Sequence, residues 1–134
     1  GTEVIFACGG AAGNSVMKAA ETAGKKVIGV DVDQYAESDT VITSSMKNLA
    51  KSVVDALTAI KDGTFEGGQM ITLDATVDGV GLPMENSRFA TFSQEDYDAI
   101  YERVVNKEIT IKGDMDITDP KELETERVKV QVID

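Results

Sequence analysis

The chain has 134 residues, 42% of them apolar and 28% charged, which suits a single globular domain and excludes a disordered segment. Its net charge of −11 excludes the basic footprint that nucleic acid or an anionic membrane surface would need. The absence of histidine removes the usual general base at neutral pH, and the absence of tryptophan makes an aromatic-lined sugar groove hard to build.

A β-branched run follows the opening Gly1-Thr2-Glu3 at once, so the chain reads as a piece of a longer protein. The first strand is expected over Val4–Cys8. Cys8, the one cysteine, is expected to be a small buried core side chain. Glycines follow, and then a helix over Asn14–Ala23 with Val16, Ala19, Ala20 and Ala23 on one face and Gly24 as its left-handed stop. The second strand, Val27–Val30, runs into Asp31 and Asp33, and Gln34–Asp39 is turn-like. A short strand is expected over Thr40–Thr43. Thr43 or Ser44 can then cap a helix that reaches Asp62 and carries the stripe Leu49, Val53, Ala56, Leu57 and Ile60, with Gly63 ending it.

Further on, Gln69–Leu73 reads as a strand and Thr76–Leu82 as an extended stretch with two glycines. Ser93 with Asp96 forms a capping-box pattern for a helix to Asn106, whose buried face is expected to be Tyr97, Ile100, Tyr101 and Val104. Lys107–Lys112 alternates like an edge strand. The tail from Asp114 to Glu126 is acidic and broken by Pro120. Beyond it Val128, Val130 and Val132 alternate, as an edge strand or as a strand that pairs with a second chain. Strands alternating with helices predict an α/β domain with a mainly parallel sheet and helices on both faces.

In such a sheet the ends of the first two strands open on the same edge, where ligands bind. A donor-rich turn, Cys8-Gly9-Gly10-Ala11-Ala12-Gly13, then stands beside the acidic turn Asp31-Val32-Asp33. Asp31 follows Gly9 by 22 positions, near the dinucleotide-binding spacing, although Cys8 stands where the first glycine of that pattern belongs. The bland reading of the glycines is a tight strand-to-helix turn that needs small residues. One of the two aspartates reads as a turn or capping residue. Lys47 is expected in the first turn of the long helix, where the helix dipole disfavours a cation. It is either reaching for a ligand oxygen or lying over apolar surface with its head in water.

Four segments in order, Gly9–Val16, Val27–Gln34, Val41–Asn48 and Asp78–Leu82, resemble the C-terminal portion of the basic membrane protein family. These are substrate-binding lipoproteins of ABC importers, typified by the purine nucleoside receptor. The resemblance covers roughly residues 1–112 and leaves the tail, 113–134, without a motif. It implies a two-lobed type I periplasmic-binding-protein fold with the ligand enclosed between lobes. By resemblance Asp31 matches the aspartate that holds ribose hydroxyls, Lys47 the lysine that completes the sugar contacts, and Gly9 and Gly10 the turn that closes on the ligand. The pattern departs at Ala11 and Ala12, which replace a Gly-Thr type turn, and in a short loop after Gln34 without the usual proline.

The resemblance also implies that helix 46–62 belongs to the first lobe, reached near Thr43 and left by a return strand near Leu73. A second copy is therefore expected to cover its apolar stripe. The implied function is binding of a small polar ligand, a purine nucleoside foremost, without catalysis or a cofactor. An ABC permease is the implied partner, and the intact protein is expected to be extracytoplasmic and lipid-anchored. Two alternatives stay open: a Rossmann-like NAD-dependent enzyme domain, and the ligand-sensing domain of a regulator.

Overall fold

The computed structural model describes residues 1–113 and 115–133; Asp114 and Asp134, the ends of the acidic and alternating tail, lie outside the described residues. The elements run β1 (Val4–Phe6), α1 (Ala12–Ala23), β2 (Lys26–Asp31), β3 (Val41–Lys47), α2 (Leu49–Lys61), β4 (Val80–Gly81) and α3 (Gln94–Val105). Short 3-10 turns stand at Ala75–Val77, Met84–Asn86 and Pro120–Leu123. The sheet order is β1-β2-β3-β4. The pairs β1/β2 and β2/β3 are parallel, and β4 joins β3 antiparallel through Met46–Gly81 and Lys47–Val80. The expected α/β architecture with a mainly parallel sheet is therefore present.

The core is small and lies where α1 meets the sheet. Val27 and Val41 are fully buried against Ala7, Met17 and Ala20; the face that α1 buries is thus Gly13, Met17 and Ala20, with Val16 half-buried beside it, while Ala19 and Ala23 of the expected face are exposed because the helix is turned by about one residue. Gly24, at φ 63°, ends α1 in the left-handed region, and the next N–H, of Lys25, returns to the Ala20 carbonyl.

The connection from β2 to β3 is held by polar side chains. The Gln34 Oε1 accepts from Val30 N–H at 2.9 Å, and the fully buried Ser44 Oγ accepts from Gln34 N–H at 3.0 Å. Both groups lie over Gly29, where a Cβ would meet Ser44 Oγ at 2.6 Å. Arg88 clamps the same connection from outside, donating to the carbonyls of Tyr35 and Val41 with its guanidinium 5.0 Å from the centre of the Tyr35 ring.

Several expectations are corrected. The first strand stops at Phe6, and α1 starts at Ala12 rather than Asn14, directly after the glycine turn. The third strand does not end at Thr43: pairing with β2 carries it through Met46, and Lys47 closes it against Val80. The cap of α2 is consequently Asn48, whose side chain accepts from Lys51 N–H at 3.1 Å, and not Thr43 or Ser44. Gln69–Leu73, Lys107–Lys112 and 128–132 form no strand, because among the described residues no strand lies beside them to take up their main-chain hydrogen bonds. The α2 stripe is open, with Leu49, Val53, Leu57 and Ile60 each more than half exposed. On α3, Tyr97, Tyr101 and Val104 are only half-buried, and Ile100 is exposed. Among the described residues no helix is long and apolar enough to cross a membrane.

Candidate functional site

The site begins with the end of β2. Val32 N–H donates to the Val30 carbonyl at 2.8 Å, closing a three-residue turn around Asp31, which sits at φ 69°. This is the positive-φ form of the γ-turn, the rarer and more strained one. A non-glycine residue in such a conformation costs about 1–3 kcal/mol and persists where surrounding structure holds it, most often at functional sites. Here the hold is the parallel ladder, which aligns Asp31 with Met46 of β3.

One residue further along β3, the Lys47 ammonium reaches back to Asp31 Oδ1 at 2.7 Å. The Lys47 side chain is 64% exposed and that of Asp31 48%, so the pair stands at the surface with carboxylate oxygen left free to accept from a ligand. The hydrogen bond to Asp31, and then the charge of that carboxylate, hold the Lys47 pKa above the ordinary lysine value. Lys47 therefore ends a strand rather than opening a helix. It still directly precedes Asn48, the cap at the positive end of α2, and the Asp31 carboxylate offsets that placement.

Gly9 and Gly10 stand on the neighbouring strand's end. Because β1 and β2 are adjacent and parallel, the glycine turn and Asp31 share one edge of the sheet. Gly9 N–H donates to the Ala7 carbonyl at 3.1 Å, and Gly10 is at φ 57°. α1 has no side-chain cap at Ala11, and the N–H groups of Gly10 and Ala11 donate to nothing among the described residues. They are donors at a positive helix end. Cys8 is exposed in this turn and is not the buried core residue expected, because β1 ends two residues before it.

Asp33 is tied into the turn by two partners: Oδ1 accepts from Tyr35 N–H at 3.1 Å and Oδ2 from the Asn86 amide at 2.7 Å. It shapes the turn. Sequence reasoning missed a cavity of about 590 Å³ that Lys47 lines together with Val32, Asp33, Leu82, Tyr97 and Tyr101 and that Asp31 does not line. Tyr97 was expected in the core, yet its hydroxyl accepts from Leu82 N–H at 3.2 Å, while the Tyr101 hydroxyl donates to the Val80 carbonyl at 3.0 Å. Partial burial raises the Tyr101 pKa. The spacing of the two tyrosines, one helical turn apart after a capping box, was the signal available. What it lacked was the position of β4.

Residues 1–115 match the model of a family described as ABC transporter substrate-binding protein PnrA-like. The chain is 32% identical to Basic membrane protein A of Borreliella afzelii over 117 residues, covering 83% of this chain and 35% of that protein. It is 30% identical to the ABC transporter nucleoside-binding protein BmpA of Lactococcus lactis subsp. cremoris over 105 residues, covering 65% of this chain and 30% of that one. The chain thus spans about a third of the length of the curated relatives it matches. Two solved structures share its fold. An ABC transporter solute-binding protein from Conexibacter woesei has a TM-score of 0.57 at 22% identity, covering 84% of this chain and 38% of that one. A transcriptional activator of the comK gene from Bacillus halodurans has a TM-score of 0.60 at 19% identity, covering 79% and 36%. With the family model matching most of its length, the chain belongs to the PnrA-like family of ABC transporter substrate-binding proteins.

Proposed function

We propose that this chain carries part of the binding site of a nucleoside receptor serving an ABC importer. Asp31 accepts the two ribose hydroxyls, Lys47 donates to the sugar, and Gly9 and Gly10 present main-chain N–H groups from the adjoining turn. The observation that carries this reading is the Asp31 carboxylate, raised on a γ-turn and ion-paired to Lys47 at 2.7 Å on the edge it shares with the glycine turn. A carboxylate offers acceptors only, and two neighbouring hydroxyls offer it two donors, in charge-assisted bonds worth about 1.5–3 kcal/mol each. The reading is supported by the nucleoside-binding name of the Lactococcus lactis relative. In it the protein binds without turnover and without a cofactor, in the cleft of a two-lobed fold. Residues 1–112 supply mostly the second lobe, and helix 46–62 supplies part of the first. The intact receptor lies outside the cytoplasmic membrane, held by a lipid anchor, and delivers its ligand to a permease.

The test is calorimetric titration of the full-length receptor with adenosine, guanosine and inosine beside their 2′-deoxy analogues. Asp31→Asn replaces one acceptor by an N–H donor and removes the charge assistance, so affinity falls about 30- to 150-fold. Asp33→Asn changes it little. Unchanged affinity in Asp31→Asn overturns the assignment of that residue, and loss of binding in Asp33→Asn reverses the roles of the two carboxylates.

The fold likeness to a transcriptional activator favours a second reading, a ligand-sensing domain of a regulator. It predicts the same ligand contacts with a DNA-binding segment in the intact protein in place of a lipid anchor. A dinucleotide enzyme, the third reading, requires NAD binding by this chain alone, which the same calorimeter measures.

A further inference from the structure

Two stretches of the chain have no task in the binding reading: Asn48, which directly follows Lys47, and the segment Asp78–Leu82. The fold brings them together. The ladder from β2 ends where Asp31 faces Met46, so Lys47 lies one residue beyond it and pairs only with Val80 of β4. Asn48 comes next. Its main-chain N–H donates to the Gly79 carbonyl at 2.9 Å, and its side-chain amide donates to the Asp78 carbonyl at 3.2 Å and to Asp78 Oδ2 at 3.4 Å. Its Oδ1 meanwhile accepts from Lys51 N–H at 3.1 Å and caps α2. The receiving turn is itself held. Asp78 sits at φ 55°, and Gly79 N–H donates to the Asp74 carbonyl at 2.8 Å. Gly79 is buried, and a Cβ there would run into the Leu73 carbonyl.

Asparagine is the residue that this double task needs. Aspartate, serine and threonine also cap helices as acceptors. A carboxylate has no hydrogen to give, and a hydroxyl, one bond shorter than the amide nitrogen, does not span to Asp78 while it caps. We infer that Asn48 is a positioning residue: by tying the chain directly after Lys47 to the Asp78–Gly79 turn, it sets the lysine's main chain so that the ammonium meets Asp31. The effect of Asn48 on ligand affinity rests on the reading of Lys47 as a ligand contact. Its effect on the ion pair does not.

Asn48→Ser and, beside it, Asn48→Thr keep a helix cap, add no charge and remove the tie. Both are made in the intact receptor that carries this chain. Helicity and the urea midpoint are expected to stay near those of the parent. In an NMR titration without ligand, the Lys47 Nζ midpoint is expected to fall toward that of free lysine. In calorimetry with inosine, affinity is expected to fall about 10-fold. A lowered midpoint with unchanged affinity supports the positioning role and removes Lys47 from the ligand's contacts. A parent that binds no nucleoside removes the nucleoside reading, and the NMR comparison still decides this one. An unmoved Lys47 midpoint in either folded variant overturns the inference and leaves Asn48 a cap alone. Failure of both variants to fold also overturns it, since Asn48 is then structural.

Discussion

Asp31 shows how a single residue's backbone and charge can be set by different neighbours. Its φ of 69° is fixed by the turn that returns Val32 to Val30, and its carboxylate is fixed by Lys47 from the adjacent strand. The raised pKa of Lys47 gives a sign that can be checked. A lysine bound more tightly as a cation in the folded state stabilises that state fully below its unfolded pKa, and the contribution is lost as pH rises through the higher folded value. The lysine's contribution to the pair is therefore constant across neutral pH and is lost in alkali. A nitrogen-detected NMR titration of Lys47 Nζ is expected to show a midpoint above that of free lysine, which Asp31→Asn brings back down. Gly29 makes a second point at this scale. Gly29→Ala places a methyl against Ser44 Oγ and Gln34 Oε1, and overpacking of this kind lowers stability by about 1–3 kcal/mol in urea denaturation. Adding Ser44→Ala recovers only part of it, because the Gln34 N–H then loses its acceptor.

The elements divide by what holds them. β1, β2 and the presence of α1 were legible in the sequence because their signals are local: β-branched runs, a glycine turn and the left-handed stop at Gly24; the face α1 buries was not, since alanines on every side left Met17 unmarked. The second half of β3 was not. Ser44-Ser45-Met46-Lys47 has weak strand propensity and stays extended because β2 and β4 pair with it, which no local pattern announces. That displacement moved Lys47 from a helix to a strand end. The acceptor chemistry of an aspartate after a strand could be read from the residues, and the choice of Asp31 and Lys47 came from the family resemblance, but the ion pair between them appears only in the structure. α3 is the opposite case. Its start was fixed by Ser93 and Asp96, which cap each other's backbone reciprocally. Ser93→Ala is expected to cost about 1 kcal/mol and to fray the first turn, read by amide exchange at Asp96 and Tyr97. The backbone and side chain of Ser93 hold the Asp96 pKa below the ordinary aspartate value. The cap is thus whole above that ordinary value and is lost as pH falls through the depressed one.

Over the whole molecule, burial is concentrated at the α1 face of the sheet, and the large apolar residues of α2 contribute little to the stability of the chain by itself. Val27→Ala, in the core, is expected to lower unfolding free energy by about 1–3 kcal/mol. Leu57→Ser, on the open stripe, is expected to stay within about 0.5 kcal/mol. Equal losses in urea titrations would show that α2 is packed in solution, contrary to the exposure described above.

The antiparallel pair of β3 and β4 has a mechanical consequence. Only Met46–Gly81 and Lys47–Val80 join the two strands, and Asn48 and Tyr101 tie the same short stretch to Gly79 and Val80. Chain leading to α2 and chain returning from it are therefore fastened side by side at one narrow point, and Lys47 belongs to it. The ammonium that meets Asp31 is therefore placed by two pairings at once, the parallel ladder to β2 and the short antiparallel join to β4.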